Sequence, residues 1–266
     1  MSQSNDTVSK ILIVAVTLSI VFSVIVSGAA VTLRPAQERN EALSTRSNML
    51  AAAGIIEADA SNDKVAETFE RFEVLLVEMG TGETVSPETV KAESAESYDQ
   101  RRAARDPDIS RGLQDDPAGI NRQATYRKAF VLKDNGSVER VVLPIHGYGL
   151  WSTMYGFLAL EGDGNTVAGL RFYEHGETPG LGAKIQSPDW VAKWKGKEIY
   201  EPGNWQNPNF RLIKGGVGEN TEGREHKVDA LSGATLTSRG VESTINFWLG
   251  ERGYAPFLAR VRNGEI

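Results

Sequence analysis

The stretch Tyr126-Arg-Lys-Ala-Phe-Val-Leu-Lys-Asp-Asn-Gly-Ser-Val-Glu-Arg-Val-Val-Leu-Pro-Ile145 decides the fold class. Its two arms, 126–132 and 138–145, are rich in β-branched and aromatic residues, and Lys133-Asp-Asn-Gly136 supplies the Asx and glycine that a tight hairpin needs. The same pattern follows at once, with 154–160 and 166–173 flanking Gly162-Asp-Gly-Asn165. Hairpins pair neighbouring strands antiparallel, so these four segments predict a mostly antiparallel sheet. Residues 210–214 read as a further strand. Ser187-Pro-Asp189 can open a helix carrying Trp190 and Trp194, and 236–249 is expected to be the last helix. Its Val241, Ile245, Phe247, Trp248 and Leu249 should cover the sheet, so the class is α+β.

Upstream, 74–77 is an apolar run before a turn at Gly80-Thr-Gly82, and Asn62 and Asp63 can cap a short helix through Phe69. Residues 86–117 are polar and charged and read as a mobile surface excursion, with Arg101-Arg-Ala-Ala-Arg105 in a solvated loop. Pro35 suits a helix start, residues 36–53 are strong helix formers for a stalk, and Gly54 ends the pattern. Residues 11–33 carry no charge; about 23 apolar residues in a helix reach roughly 34 Å, enough for a bilayer core. A retained anchor is expected, since the run exceeds the apolar core of a signal peptide; cleavage at Ser27-Gly-Ala-Ala30 is the alternative. Lys10 precedes the run and Arg34, Arg39 and Arg46 follow it, a charge balance that by itself places the carboxyl side in the cytoplasm. A large domain behind one helix can be translocated largely regardless of charge, so this balance does not decide the orientation. The expected organisation is an anchor at 1–34, a stalk and lead-in at 35–125, and the main domain at 126–266.

Composition narrows the chemistry. A net charge of -6 argues against a nucleic-acid surface, which needs clustered Lys and Arg. With no cysteine, disulfides, thiolate-held clusters and thioether haem are excluded within the chain. His146, His175 and His226 form no metal-spaced pair, and G-x-S-x-G, Walker A and complete G-x-G-x-x-G signatures are missing. No internal repeat is evident.

Three segments remain. Asp229-Ala-Leu-Ser-Gly-Ala-Thr235 sets hydroxyls and a glycine just before the last helix, where unpaired N–H groups and the helix dipole favour a phosphate; an ordinary N-cap is the simpler alternative. Gly147-Tyr-Gly-Leu-Trp-Ser152 lies between two strands, with Trp151 either in the core or against a planar ring. Glu177-Thr-Pro-Gly-Leu-Gly182, preceded by His175-Gly176, follows a strand as a tight loop.

In this order, G-x-G-L-W-S, E-T-P-G-L-G and D-x-x-S-G-A-T behind an amino-terminal anchor resemble the C subunit (NqrC) of the sodium-translocating NADH:ubiquinone reductase. The related G subunit of the Rnf electron-transport complex shares much of the signature, while the polar excursion and length favour NqrC. The resemblance covers nearly the full chain and is most specific between Tyr148 and Ser238. It implies a single transmembrane helix in the bacterial inner membrane, followed by a periplasmic FMN-binding domain with a mostly antiparallel sheet and flanking helices. FMN would be joined by its phosphate to Thr235 by a flavin transferase. The chain would relay electrons among the A, B, D, E and F subunits, between an iron–sulfur centre in D and E and a second covalent FMN on B, with NADH oxidised on F. Coupling would drive sodium export, and a relay needs no dinucleotide fingerprint.

The resemblance also assigns roles. Ser232, Gly233 and Ala234 would bring backbone N–H groups to the phosphate, with Thr237 an additional donor. Trp151 and Leu181 would flank the ring, with Leu150 and Gly182 beside them, and Glu177 and Thr178 would bond its polar edge. Lys214 reads either as a charge partner for flavin or as a solvated strand end, and Asp229 either orients the loop or is read by the transferase. No catalytic residue and no metal is expected in the chain. A periplasmic phosphoryl-ligand binding module without redox work is the competing class; an anchored hydrolase lacks its nucleophile motif.

Overall fold

A computed structural model describes residues 7–57 and 59–266. It divides into two compact units, Met1–Thr45 and Arg46–Ile266. The first six residues of the expected anchor lie outside the described residues.

The first unit is the greater part of helix α1 (Val8–Ala52). Its most apolar window has mean hydropathy 2.7 and none of it is buried, so by length and composition the helix can cross a membrane. Pro35, expected near a helix start, lies inside α1. Proline removes its own N–H from the ladder and crowds the carbonyl four residues back, and the turn around it carries an Arg34–Glu38 pair at 2.9 Å.

The second unit begins with the last turns of α1, where Met49, Leu50 and Ala52 are buried. Gly54, at φ +71°, ends the helix as expected. Helix α2 (Asn62–Phe69) is capped by Ser61, whose Oγ accepts from Lys64 N at 3.4 Å, rather than by Asn62 or Asp63. Strands β1 (Phe72–Glu78) and β2 (Thr84–Val85) form a hairpin around the Gly80 to Gly82 turn. The polar excursion is folded: it holds α3 (Gln100–Ala103) and β3 (Ser110–Gly112), which pairs with β4 (Arg122–Ala124). Tyr98 and Ala103 are buried there with Leu76 and Ala124. Arg101, expected in solvent, stacks its guanidinium 3.6 Å from the Tyr155 ring centre and bonds Tyr173 Oη at 3.0 Å and Glu174 at 2.9 Å. A few apolar anchors and one stacked arginine hold a segment whose average composition reads as loop.

Strands β5 (Tyr126–Asp134), β6 (Ser137–Tyr148), β7 (Thr153–Glu161) and β8 (Val167–Glu174) complete the sheet in the order β2-β1-β5-β6-β7-β8, antiparallel throughout. Asn135 (φ +49°) and Gly136 (φ +83°) close the β5–β6 turn, the conformation anticipated from Asn-Gly. One sheet face buries Phe130, Val142 and Phe157 against α2 and the end of α1. The other buries Val131, Leu143 and Leu158 with Val241, Ile245 and Trp248 of α5 (Thr235–Trp248). The Pro188 helix, α4 (Pro188–Val191), is a single turn continued by a 3-10 turn through Trp194, and Trp190 and Trp194 are both buried. The strand expected at 210–214 is β9 (Arg211–Ile213), paired parallel with β10 (Lys227–Asp229) just before the serine–glycine segment. A further helix, α6 (Ala255–Arg262), follows α5 where none was expected, its Phe257 and Leu258 fully buried.

Candidate functional site

The three motif segments meet at the amino end of α5. Thr235 is the first residue of that helix, and Ala234 before it makes no side-chain cap. The hydroxyl beside the helix start is thus not spent on capping, contrary to the simplest reading of Ser-Gly-Ala-Thr. Ser238 braces the loop from below: its Oγ accepts from Leu231 N and donates to Ala234 O, both at 2.9 Å. Asp229 holds the entrance. Its carboxylate takes the Val217 N–H at 2.7 Å and pairs with Lys193, while Trp190 Nε1 donates to its carbonyl at 2.8 Å. Burial alone would raise the Asp229 carboxyl, but Lys193 and the Val217 N–H outweigh it and hold it below the usual range. Asp229 therefore orients the loop.

A recess of about 510 Å³ opens beside the helix start, lined by Lys214, Ser232, Gly233, Thr235, Arg239 and Glu242 among others. Gly233 takes φ +76° and leaves Leu181 packed over it, 3.1 Å from where a Cβ would stand. The recess combines free helix N–H groups, a small-residue floor and two cations, a donor set that fits a phosphate.

Glu177 ties the segments together. It is 4% exposed; Oε1 accepts from Leu150 N at 2.9 Å and Trp151 N at 3.0 Å, and Oε2 accepts from the Thr237 hydroxyl. Glu177, expected at the polar edge of a ring, is buried behind the turn, with both carboxylate oxygens bonded within the chain. Thr237 is likewise fully buried, and its hydroxyl donates to Glu177. Charge-assisted bonds of this kind contribute about 1.5–3 kcal/mol each, set against the cost of desolvating the carboxylate. Gly182 permits this knot, since a Cβ there would lie 2.6 Å from Thr237 Oγ1 and 2.7 Å from Glu177 Oε2. Gly240, which sequence reasoning missed, lets α5 press against the turn: its Cβ would stand 2.4 Å from the Tyr148 carbonyl oxygen.

What the knot presents to solvent is apolar. Trp151 is 64% exposed, and Leu150, Leu181, Leu236 and Tyr148 are exposed beside or within the same segments. The Trp151 indole donates to Thr178 Oγ1 at 3.1 Å, so Thr178 is a brace for the ring. Large apolar groups held rigidly in water mark a ligand or partner surface, and flat ones suit a planar ring. Lys214 is exposed at the end of β9. Ser238, Trp190 and Lys193 carried no sequence signal as site residues, because they act through loop geometry that only the fold creates.

A phosphate-fitting helix start and an exposed aromatic rim are features that a flavin-type nucleotide site requires, and residues 149–250 match the model of the FMN-binding domain. Over their whole length, relatives carry a narrower description. The chain is 45% identical to the C subunit of the Na(+)-translocating NADH-quinone reductase of Vibrio parahaemolyticus, covering 100% of both, and 42% identical to that of Pseudomonas aeruginosa over 98% of this chain and 99% of the relative. The crystal structure of Shewanella oneidensis NqrC superposes with TM-score 0.74 at 35% identity, covering 86% of this chain and 99% of that one. That of the corresponding Na(+)-translocating NADH-quinone reductase C subunit from Parabacteroides distasonis gives 0.64 at 28% identity, covering 85% of this chain and 96% of that one. The chain belongs to the NqrC family, the C subunits of Na(+)-translocating NADH-quinone reductases.

Proposed function

We propose that this chain carries FMN in phosphoester linkage to Thr235 and relays electrons within a sodium-translocating NADH–quinone reductase. The observation that carries the reading is Thr235 itself, the exposed first residue of α5, beside an uncapped helix start and a recess lined by Lys214, Ser232 and Gly233. FMN supplies the reversible electron carrier; everything else is the work of this chain. Thr235 Oγ would carry the phosphate ester, a transferase taking the proton of this neutral alcohol, a weak nucleophile alone, as the phosphorus exchanges the leaving group of an activated flavin donor for Oγ. The N–H groups of the helix start and Lys214 balance the phosphate charge. Trp151, Leu150 and Leu181 take the ring and exclude water from it. Glu177, Thr237 and Gly182 act behind them as positioning residues.

α1 serves as a retained single-pass anchor in the bacterial inner membrane, with 35–125 as stalk and lead-in and 126–266 as the periplasmic flavin domain. The A, B, D, E and F subunits are the partners, and this chain alone does not oxidise NADH. The test is intact-mass and peptide mapping of the protein produced with a flavin transferase. One flavin on the Thr235 peptide, its loss in Thr235→Ala, and a fluorescent band that survives denaturation are expected. A flavin mapped to another residue, or a colourless parent, overturns the linkage. A reporter fused after Ile266 that is active only in the cytoplasm overturns the topology.

A further inference from the structure

A second basic cavity lies where the central strands part. β5 and β6 pair from their shared turn back to Phe130 opposite Val142, and towards Arg127 and Ile145 no further pairing holds them together. Arg127 fills the opening. It is 2% exposed, donates from Nε to Tyr254 Oη at 3.2 Å and from Nη2 to the Pro144 carbonyl at 3.0 Å, and lies 3.9 Å from the Trp248 ring centre. All of these partners are neutral, and Arg127 makes no ion pair among the described residues.

Beside it is a cavity of about 230 Å³, lined by Arg101, Arg105, Arg122, Arg127 and His146 among others. Among the described residues one carboxylate answers these four guanidiniums: Glu174, on Arg101 at 2.9 Å. Arg122 bonds Ser110 Oγ and O, both at 2.9 Å, and Arg105 has no ion pair among the described residues. The nearby Asp116 turns its Oδ2 to the Asn121 N–H at 2.5 Å, and its buried Oδ1 has no partner among the described residues and makes no ion pair with these guanidiniums. Burial, with Arg127 and Arg101, pushes the His146 imidazole well below its ordinary range, in keeping with an unbalanced positive potential. A buried cation without a counter-charge costs several kcal/mol, and an anion entering the cavity offsets it.

We propose that this cavity binds a small phosphate-class oxyanion, either inorganic phosphate or a phosphomonoester headgroup. Planar guanidinium forks match such oxygens in pairs. The volume falls below the roughly 300–1,000 Å³ of larger small-molecule sites, so the ligand is a headgroup and not a nucleotide. The cavity shares no lining residue with the recess at Thr235 and does not depend on the flavin reading.

The experiment is calorimetric titration of the full-length, flavin-loaded protein in neutral detergent at low salt, with inorganic phosphate and with glycerol 1-phosphate. Saturable one-site binding that weakens as NaCl rises is expected. Arg105→Gln, on an exposed side chain, weakens it up to about fivefold, the worth of one exposed charge contact. The Arg101→Gln/Arg105→Gln pair removes it, and Lys214→Gln leaves it unchanged. Tighter glycerol 1-phosphate identifies a headgroup and equal or tighter inorganic phosphate a free anion; both support the site. No saturable heat with either probe, affinity unmoved in the double variant, or loss in Lys214→Gln overturns it, the last by assigning the anion to the flavin recess.

Discussion

Two turns of one sheet have opposite origins. The β5–β6 turn is closed by Asn135 and Gly136 in positive φ, and its conformation follows from those two residues. The β6–β7 turn, from Gly149 to Ser152, has one backbone bond of its own, Gly149 N to Ser152 O at 2.9 Å, and the Tyr148 hydroxyl donates to the Trp151 carbonyl at 3.2 Å. Leu150 and Trp151 are held instead by Glu177, a residue from beyond β8 that is itself bonded to Thr237 of α5. The first turn is local chemistry on an exposed corner. The second is fixed by tertiary structure, and it holds a large apolar ring out in water, which a self-sufficient turn has no reason to do. Where a surface must keep one geometry for a ligand, its restraint lies underneath.

The second turn depends most on Glu177. Glu177→Ala strips two turn N–H groups and the Thr237 hydroxyl of their acceptor and should cost about 3 kcal/mol in denaturant unfolding, in line with buried groups left unsatisfied. Flavin fluorescence should change with it as Trp151 loses its restraint. Thr237→Ala keeps the turn bonds and should cost about 2 kcal/mol while the flavin stays attached. A flavin-free Thr237→Ala protein would return this hydroxyl to the phosphate site.

A smaller effect arises at His146, on β6 just before the second turn. Its folded-state pKa is depressed, so the unfolded chain takes a proton first. The stability contribution is complete above the unfolded value near 6.5 and is lost as pH falls below it, at no more than about 1.4 kcal/mol per pH unit. Urea unfolding between pH 7 and 5 reads that slope, and His146→Gln should flatten it. At the local turn, Gly136→Ala should cost about 1 kcal/mol through its φ of +83° and leave the flavin spectrum untouched. A changed spectrum there would mean the two turns are coupled.

The smallest stability change is expected at the most conspicuous residue. Trp151→Ala should shift the unfolding midpoint by less than about 0.5 kcal/mol, because the ring is 64% exposed, yet it should alter flavin fluorescence and redox potential. A large loss of stability with unchanged spectra would make Trp151 a core residue.

The antiparallel hairpins, the apolar segment of α1, the short helix at Asn62–Phe69 and the three motif segments are legible in the sequence, because each is written in local terms: period-two patterning, Asn-Gly turns, an unbroken apolar run, small residues before a helix. The sequence also singled out Thr235, and Trp151 and Leu181 as flat or apolar groups beside glycines. Tertiary structure decided what each motif residue faces. Glu177 and Thr178 are neighbours in one loop, but the first is buried under the turn and the second lies at the surface bracing an indole. The order of the polar excursion, the parallel pairing of β9 with β10, and the cavity around Arg127 belong to the same class. Each depends on partners beyond the local turn, and a charged or polar side chain carries no mark of whether its partner will be water or a buried N–H.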